Sequence, residues 1–145
     1  MLVFFDTSVL VAASVSSHPH HAQAQPALRR VAKGEDQGFI GVHSIAETYA
    51  ALTRLPVAPR IQPSEAGRII RENILKHFAL VAAGQGEYLQ ALSMVQDHGW
   101  PGAKIYDALL LACAASSGAE RIYTFNLADF RGLAPAELQA RICSP

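Results

Sequence analysis

One α/β domain, a parallel sheet with helices on both faces, is the fold this chain predicts, and three observations predict it. Short apolar runs rich in Val, Ile and Phe alternate with longer helical stretches, the pattern of strand–helix–strand crossovers. The first run, Leu2-Val3-Phe4-Phe5, is continuously apolar, as a strand covered on both faces must be. The 145 residues, 50% hydrophobic and 17% charged, suffice for one core, and no repeat, low-complexity tract or linker divides them.

Each element follows in order. Leu2–Phe5 is the first expected strand, and Asp6-Thr7-Ser8, all good N-cap types, opens a helix through Val9-Leu10-Val11-Ala12-Ala13. A second helix is expected over 19–33, with Pro19 in its first turn and Gly34 as its stop. Pro26 inside that span predicts a kink or two pieces. Gly38-Phe39-Ile40-Gly41 supplies a short second strand. Ser44 is placed to cap a helix from Ile45 to about Leu55, with Glu47 at the capping-box spacing. Pro56, Pro59 and Pro63 make the next stretch a loop. Helices follow over 64–75, 86–98 and 103–117, the last stopped by Gly118, with short strands at Phe78–Val81 and Arg121–Thr124.

Composition narrows the function. Twelve Lys+Arg balance twelve Asp+Glu for a net charge of +0, which argues against a general polyelectrolyte binder and leaves room for a local basic face. The longest apolar stretch, Ala108 to Ala115, is far too short for a membrane span. Met1 leads at once into the first strand, with no basic segment or cleavage site, so no signal peptide is expected. Cys113 and Cys143 alone make neither a disulfide framework nor a zinc site, which suits a reducing cytoplasm with both thiols free.

Most acids fall in polar surroundings. Asp6, Glu47, Asp107 and the pair Asn126/Asp129 do not. Asp6 ends a buried strand, where open parallel sheets bind ligands, although alone it serves equally as a helix cap. Asp107 is the only acid of an apolar helix, and a carboxylate there needs a metal, a cationic partner, a shifted pKa or the helix dipole. Glu47 has small neighbours in Ala50 and Ala51 and shares a face with Arg54. On its own it reads better as a capping box or a surface ion pair. Asn126 and Asp129 follow the strand ending at Thr124. Together these oxygen-bearing groups flank segments that must pack against one another, and converging carboxylates require cations. Hard oxygen ligands select Mg²⁺ or Mn²⁺, which suits hydrolysis of phosphate diesters.

The same residues resemble the PIN-domain ribonucleases, in particular VapC-type toxins of toxin–antitoxin pairs. Asp6-Thr7-Ser8-Val9-Leu10 is similar to the first motif of that family. Ser44-Ile45-Ala46-Glu47-Thr48 with Leu52-Thr53-Arg54-Leu55-Pro56 is similar to the second, Lys104-Ile105-Tyr106-Asp107-Ala108-Leu109 to the third, and Thr124 to Phe130 to the fourth. The likeness runs in the family's order from Met1 to about Phe130, and the whole chain, 1–145, is expected as one such domain. It implies a PIN-like parallel sheet of four or five short strands flanked by helices. It implies Asp6, Glu47 and Asp107 as catalytic ligands of Mg²⁺ or Mn²⁺ for endonucleolytic cleavage of RNA. It also implies a cognate antitoxin that obstructs the acidic cleft, and a homodimer. One departure stands out: the family's fourth acid is Asn126 here, so the fourth ligand falls to Asn126 or Asp129, and one metal is as credible as two.

RNA binding calls for local positive charge, for which Arg54, Arg29 and Arg30 are candidates beside Lys33, Arg60, Arg68 and Arg71. His18, His20 and His21 lack a matching carboxylate and read as a surface segment, Trp100 as a loop-packing ring, and Cys113 as a small core residue. The alternative to a nuclease is a non-catalytic RNA-binding or protein-interaction module on the same scaffold. Ser8 stands where a phosphatase or dehalogenase of the Asp-x-Asp type needs its second aspartate, which disfavours that chemistry.

Overall fold

Five parallel strands form one sheet in the order β3-β2-β1-β4-β5 in the computed structural model, which describes residues 1–145. They are β1 (Leu2–Phe5), β2 (Gln37–Gly41), β3 (Phe78–Val81), β4 (Arg121–Tyr123) and β5 (Ile142–Cys143). Central β1 pairs with β2 through Phe4↔Phe39 and with β4 through Phe5↔Tyr123. Its side chains alternate between two cores, Phe4 into one and Val3 with Phe5 into the other, which is why the strand is apolar at every position.

One core joins Phe4, Ile122 and Ile142 to α5 (Gln85–His98), α6 (Lys104–Ser117), α7 (Leu127–Leu133) and α8 (Ala136–Gln139). The other joins Val3, Phe5, Ile40 and Phe78 to α1 (Thr7–Ser14), α2 (His21–Ala32), α3 (His43–Arg54) and α4 (Pro63–Ile69). Phe5 meets Phe78 and Tyr123 edge-on at 4.9 and 5.4 Å, a geometry worth about 0.5–1.5 kcal/mol per pair beyond area burial. The α/β architecture, the parallel sheet and the helices on both faces match the expectation, and the five strands fall within the four or five expected.

Several local expectations need correcting. Pro26 does not divide α2, which runs unbroken from His21 to Ala32. Pro26 and Ala22 both face solvent, so the carbonyl that loses its donor can bond water. The helix expected over 64–75 is α4 continued by a wide π turn at Ile70–Leu75. The capping box at Ser44 does not form. Val42 is already helical, so α3 starts at His43, and Ser44 is buried with its hydroxyl unpartnered. Gly118 closes α6 with φ +72°, as an αL stop requires. No helix is long and apolar enough to cross a membrane.

The connectivity creates a switch point. From β1 the chain moves to β2 and β3 on one side, then crosses through α5 and α6 to β4 on the other. Ligand sites in open parallel sheets lie beyond the carboxyl ends of the strands that flank such a reversal, here β1 and β4. Helices α1 and α3 follow parallel strands and α6 precedes one, so all three have their N-termini at that edge.

A candidate acidic active site

Asp6, at the end of β1, is 6% exposed and caps nothing with its side chain. Its Oδ2 accepts hydrogen bonds from Ser8 Oγ at 2.7 Å and from Thr124 Oγ1, beyond β4, at 2.8 Å. Thr124 Oγ1 in turn accepts from the Asn126 backbone N–H at 3.0 Å, and Ser8 Oγ accepts from the Phe125 N–H at 3.3 Å. The switch point is thus sewn together by hydroxyls around a buried carboxylate with no cationic side chain beside it. Burial pushes Asp6 above its ordinary pKa, and the hydrogen bonds from Ser8 and Thr124 pull it back.

Glu47 lies in the second turn of α3 with 44% of its side chain exposed. Relieved of capping, its Oε2 accepts from Thr7 Oγ1 at 3.3 Å, and its Oε1 lies 3.7 Å from His43 Nε2. Partial burial raises its pKa, the Thr7 hydrogen bond opposes that rise, and the charge of Asp6 adds to it.

Asp107, in the first turn of α6, is half-buried and is pushed up to about 6. Burial is the largest cause and the charge of Asp6 the next. Lys104 counters them, while Asp129 and Glu47 add smaller repulsions. Asp6, Glu47 and Asp107 therefore share one electrostatic neighbourhood. They do not close into a finished chelate: no group of three His, Cys, Asp or Glu side chains stands in metal-binding geometry. Asp6 and Glu47 are held instead by hydroxyls, and Asp107 feels Lys104 only through its charge.

The other predicted residues divide. Asp129 Oδ2 is paired with Lys104 Nζ at 2.8 Å, so Asp129 is engaged beside the site rather than turned into it. Asn126 is exposed at the start of α7 and joins the network through its backbone. Arg54 is exposed at the end of α3, two turns beyond Glu47. Arg30 is not brought to the site. It is committed to Asp36 at 2.7 Å and Glu35 at 3.4 Å, where Asp36 also pairs with the Met1 amine at 3.3 Å, at the opposite edge of the sheet. Arg29 shares that last turn of α2. His20 is an exposed ring stacked on Phe125 at 4.4 Å, in keeping with the surface segment expected there.

Sequence reasoning passed over Thr124, His43 and Lys104 as participants. Lys104 was detectable as the cation three residues before Asp107 on a helix. Thr124 and His43 act through contacts between distant segments, which spacing does not reveal.

The three carboxylates offer oxygen donors, and buried Asp6 has only neutral hydroxyls to offset its charge, so the donor chemistry, without a finished chelate, suits a hard divalent cation.

Residues 3–134 match the PIN domain family. Ribonuclease VapC40 of Mycobacterium tuberculosis is 34% identical over 119 aligned positions, covering 79% of this chain and 80% of that protein. Ribonuclease VapC27 of the same organism is 32% identical over 115 positions, covering 79% and 78%. Among solved structures, M. tuberculosis VapC20, a sarcin-ricin loop cleaving toxin, superposes with a TM-score of 0.65 at 21% identity, covering 86% of this chain and 89% of its own. VapBC2 from Rickettsia felis, bound to a DNA fragment from its promoter, gives 0.64 at 17% identity, covering 92% and 93%.

Proposed function

The chain belongs to the PIN-domain family, and from that membership we propose that it is a metal-dependent endoribonuclease, the toxin of a cytoplasmic toxin–antitoxin pair. The observation that supports the catalytic part is the electrostatic influence that Asp6, Glu47 and Asp107 exert on one another near the switch point, each with its pKa raised. The similarity to VapC40 and VapC27, both ribonucleases, supports RNA as substrate.

Asp6, Glu47 and Asp107 would hold Mg²⁺ or Mn²⁺. When bound, such an ion makes water a competent nucleophile near neutral pH and offsets charge on the leaving oxygen. The protein's own part is positional. Ser8 and Thr124 fix the Asp6 carboxylate from two sides, and Thr7 steers Glu47 toward it. Lys104 keeps Asp129 aside, which with the uncharged Asn126 supports one ion rather than two. A cognate antitoxin is the expected partner. The apolar groove of about 630 Å³ formed by Ile45 and Tyr49 of α3, Gly67 of α4 and Ile70 supports its docking beside the cleft. Exposed Leu80, Leu89 and Leu92 support association with a second copy.

The test is cleavage of RNA by the purified protein with Mg²⁺ or Mn²⁺, its loss on chelation, and its loss in Asp107→Asn. Outer-shell changes alone cost roughly 10–100-fold, so removing a ligand should cost about a hundredfold or more. A folded Asp107→Asn protein that cuts at the wild-type rate overturns the proposal. The engagement of Asp129 with Lys104 also suits a non-catalytic RNA-binding module, which would bind RNA in a salt-dependent way and yield no metal-dependent product.

A further inference from the structure

Beside Glu47 lies a pocket of about 480 Å³ lined by His43, Ala46, Glu47, Tyr88, Tyr106 and Leu109. That volume falls within the roughly 300–1,000 Å³ typical of small-ligand sites. Tyr106 is 63% and Tyr88 57% exposed, the two highest values among the large hydrophobic residues. Helix α6 is otherwise buried from Ala108 to Ala114, so the exposed ring just before Asp107 is not there to fill a core. Two aromatic rings on different helices flank a small apolar floor, Ala46 and Leu109. One end of the pocket is polar, with Glu47 and with His43, whose ring nitrogens are themselves buried.

Resting on the ribonuclease reading, we propose that this pocket is a nucleobase subsite: Tyr106, aided by Tyr88, stacks an unpaired base of single-stranded RNA next to the bond to be cut. Aromatic faces bind any base, and an unstacked base gives each ring a flat apolar partner. The shared wall decides between RNA and protein as occupant. A second copy seated here would cover Glu47 and close the cleft, whereas a base delivered here brings its own phosphate to Glu47 and Asp107. The apolar side chains of Leu80, Leu89 and Leu92 lie outside the pocket and remain available for association.

The experiment measures anisotropy of a short, end-labelled, single-stranded RNA of mixed sequence on the non-cleaving Asp107→Asn protein, alone and with Tyr106→Ala, Tyr106→Phe or Tyr88→Ala. Cleavage kinetics of the same tyrosine variants in the wild-type background run alongside. Tyr106→Ala should weaken binding about tenfold and raise KM with little change in kcat, while Tyr106→Phe, which keeps the ring, should stay within about twofold. RNA carrying a single abasic position at the subsite should be insensitive to Tyr106→Ala. Tyr88→Ala, on another helix, should weaken binding in the same direction and gives the readout if Tyr106→Ala does not fold. Unchanged binding in both alanine variants overturns the subsite. So does a change of oligomeric state by sedimentation with RNA affinity intact, which would assign the pocket to a second copy. If the wild-type protein neither binds nor cuts RNA, the ribonuclease reading falls and the subsite with it. Intact cleavage with indifferent tyrosines overturns the subsite alone.

Discussion

Asp107 is held well above the ordinary carboxylate range, and its titration has a defined sign. Its pKa rises from 3.8 to about 6 on folding. A carboxylate raised in this way contributes stability that is fully present below its unfolded pKa and lost as pH climbs through the folded value. Without added metal, Asp107→Asn should therefore be neutral near pH 3.8 and stabilising above about pH 6. Two pKa units correspond to almost 3 kcal/mol, and solvent screening of this half-exposed group reduces that to about 1–2 kcal/mol. Urea melts of both proteins across that interval, in the presence of chelator, measure it. A stabilisation that is equal at both ends would remove the electrostatic account. Asp6 and Glu47 shift in the same direction, so all three respond alike to rising pH. Thr124→Val is the complementary change. It keeps the volume but deletes the hydroxyl donated to Asp6 at 2.8 Å and accepting from Asn126 at 3.0 Å, at a cost of about 1–3 kcal/mol. Thr124→Ser should recover most of that stability in the same melts.

At the scale of elements, the start of α3 decides where Glu47 points. Gly41 leaves space for the His43 ring: a Cβ at Gly41 would stand 2.5 Å from His43 Cε1. Gly41→Ala must displace that imidazole, and with it the group 3.7 Å from Glu47 Oε1. It should destabilise the protein by about 1–3 kcal/mol and slow cleavage. Adding His43→Ala should relieve the stability loss but leave cleavage slow, a non-additivity that thermal melts and rates together reveal. The helix boundary also shows what the sequence could and could not tell. Strands β1, β2, β3 and β4 and the helices from α1 to α6 were legible because their apolar periods and stop residues are local properties. β5 has two residues, too few for any period, and exists because Ile142 and Cys143 find register with Ile122 and Tyr123. Helices α7 and α8 are seven and four residues long and are held by burial of Phe130, Leu133 and Leu138 rather than by propensity. Ser44 and Glu47 have the spacing of a capping box, yet burial of Ser44 moves the helix start and leaves Glu47 for the cleft. The carboxylates were legible as exceptions to apolar surroundings. The hydroxyls that fix them were not, since Thr124 and Asp6 meet across 118 residues.

At the scale of the whole molecule, the charge pattern constrains how RNA can be held. The net charge is +0, and the carboxylates of Asp6, Glu47 and Asp107, close enough near the switch point to influence one another, repel phosphate. Arg30 cannot compensate, because its guanidinium is spent on Asp36 and Glu35 at the far edge of the sheet. Exposed cations outside any ion pair include Arg54 at the end of α3 and Arg68 and Arg71 beyond the proline loop, with Lys104 already paired to Asp129. A single strand that neutralises about two such charges gives a salt slope near −1.4, less than a tenfold loss of affinity between about 50 and 200 mM salt. Binding should instead depend on the divalent ion and on base stacking, neither of which releases many counterions. Titrating the labelled RNA onto Asp107→Asn and wild-type protein across that salt range, with chelator and with Ca²⁺ in place of Mg²⁺ to keep the strand whole, separates the contributions. The expected pattern is a shallow slope in every series and tighter binding with Ca²⁺ in the wild type alone. A loss of a thousandfold or more would mean that a basic surface, and not the acidic cleft with its stacking rings, carries the recognition.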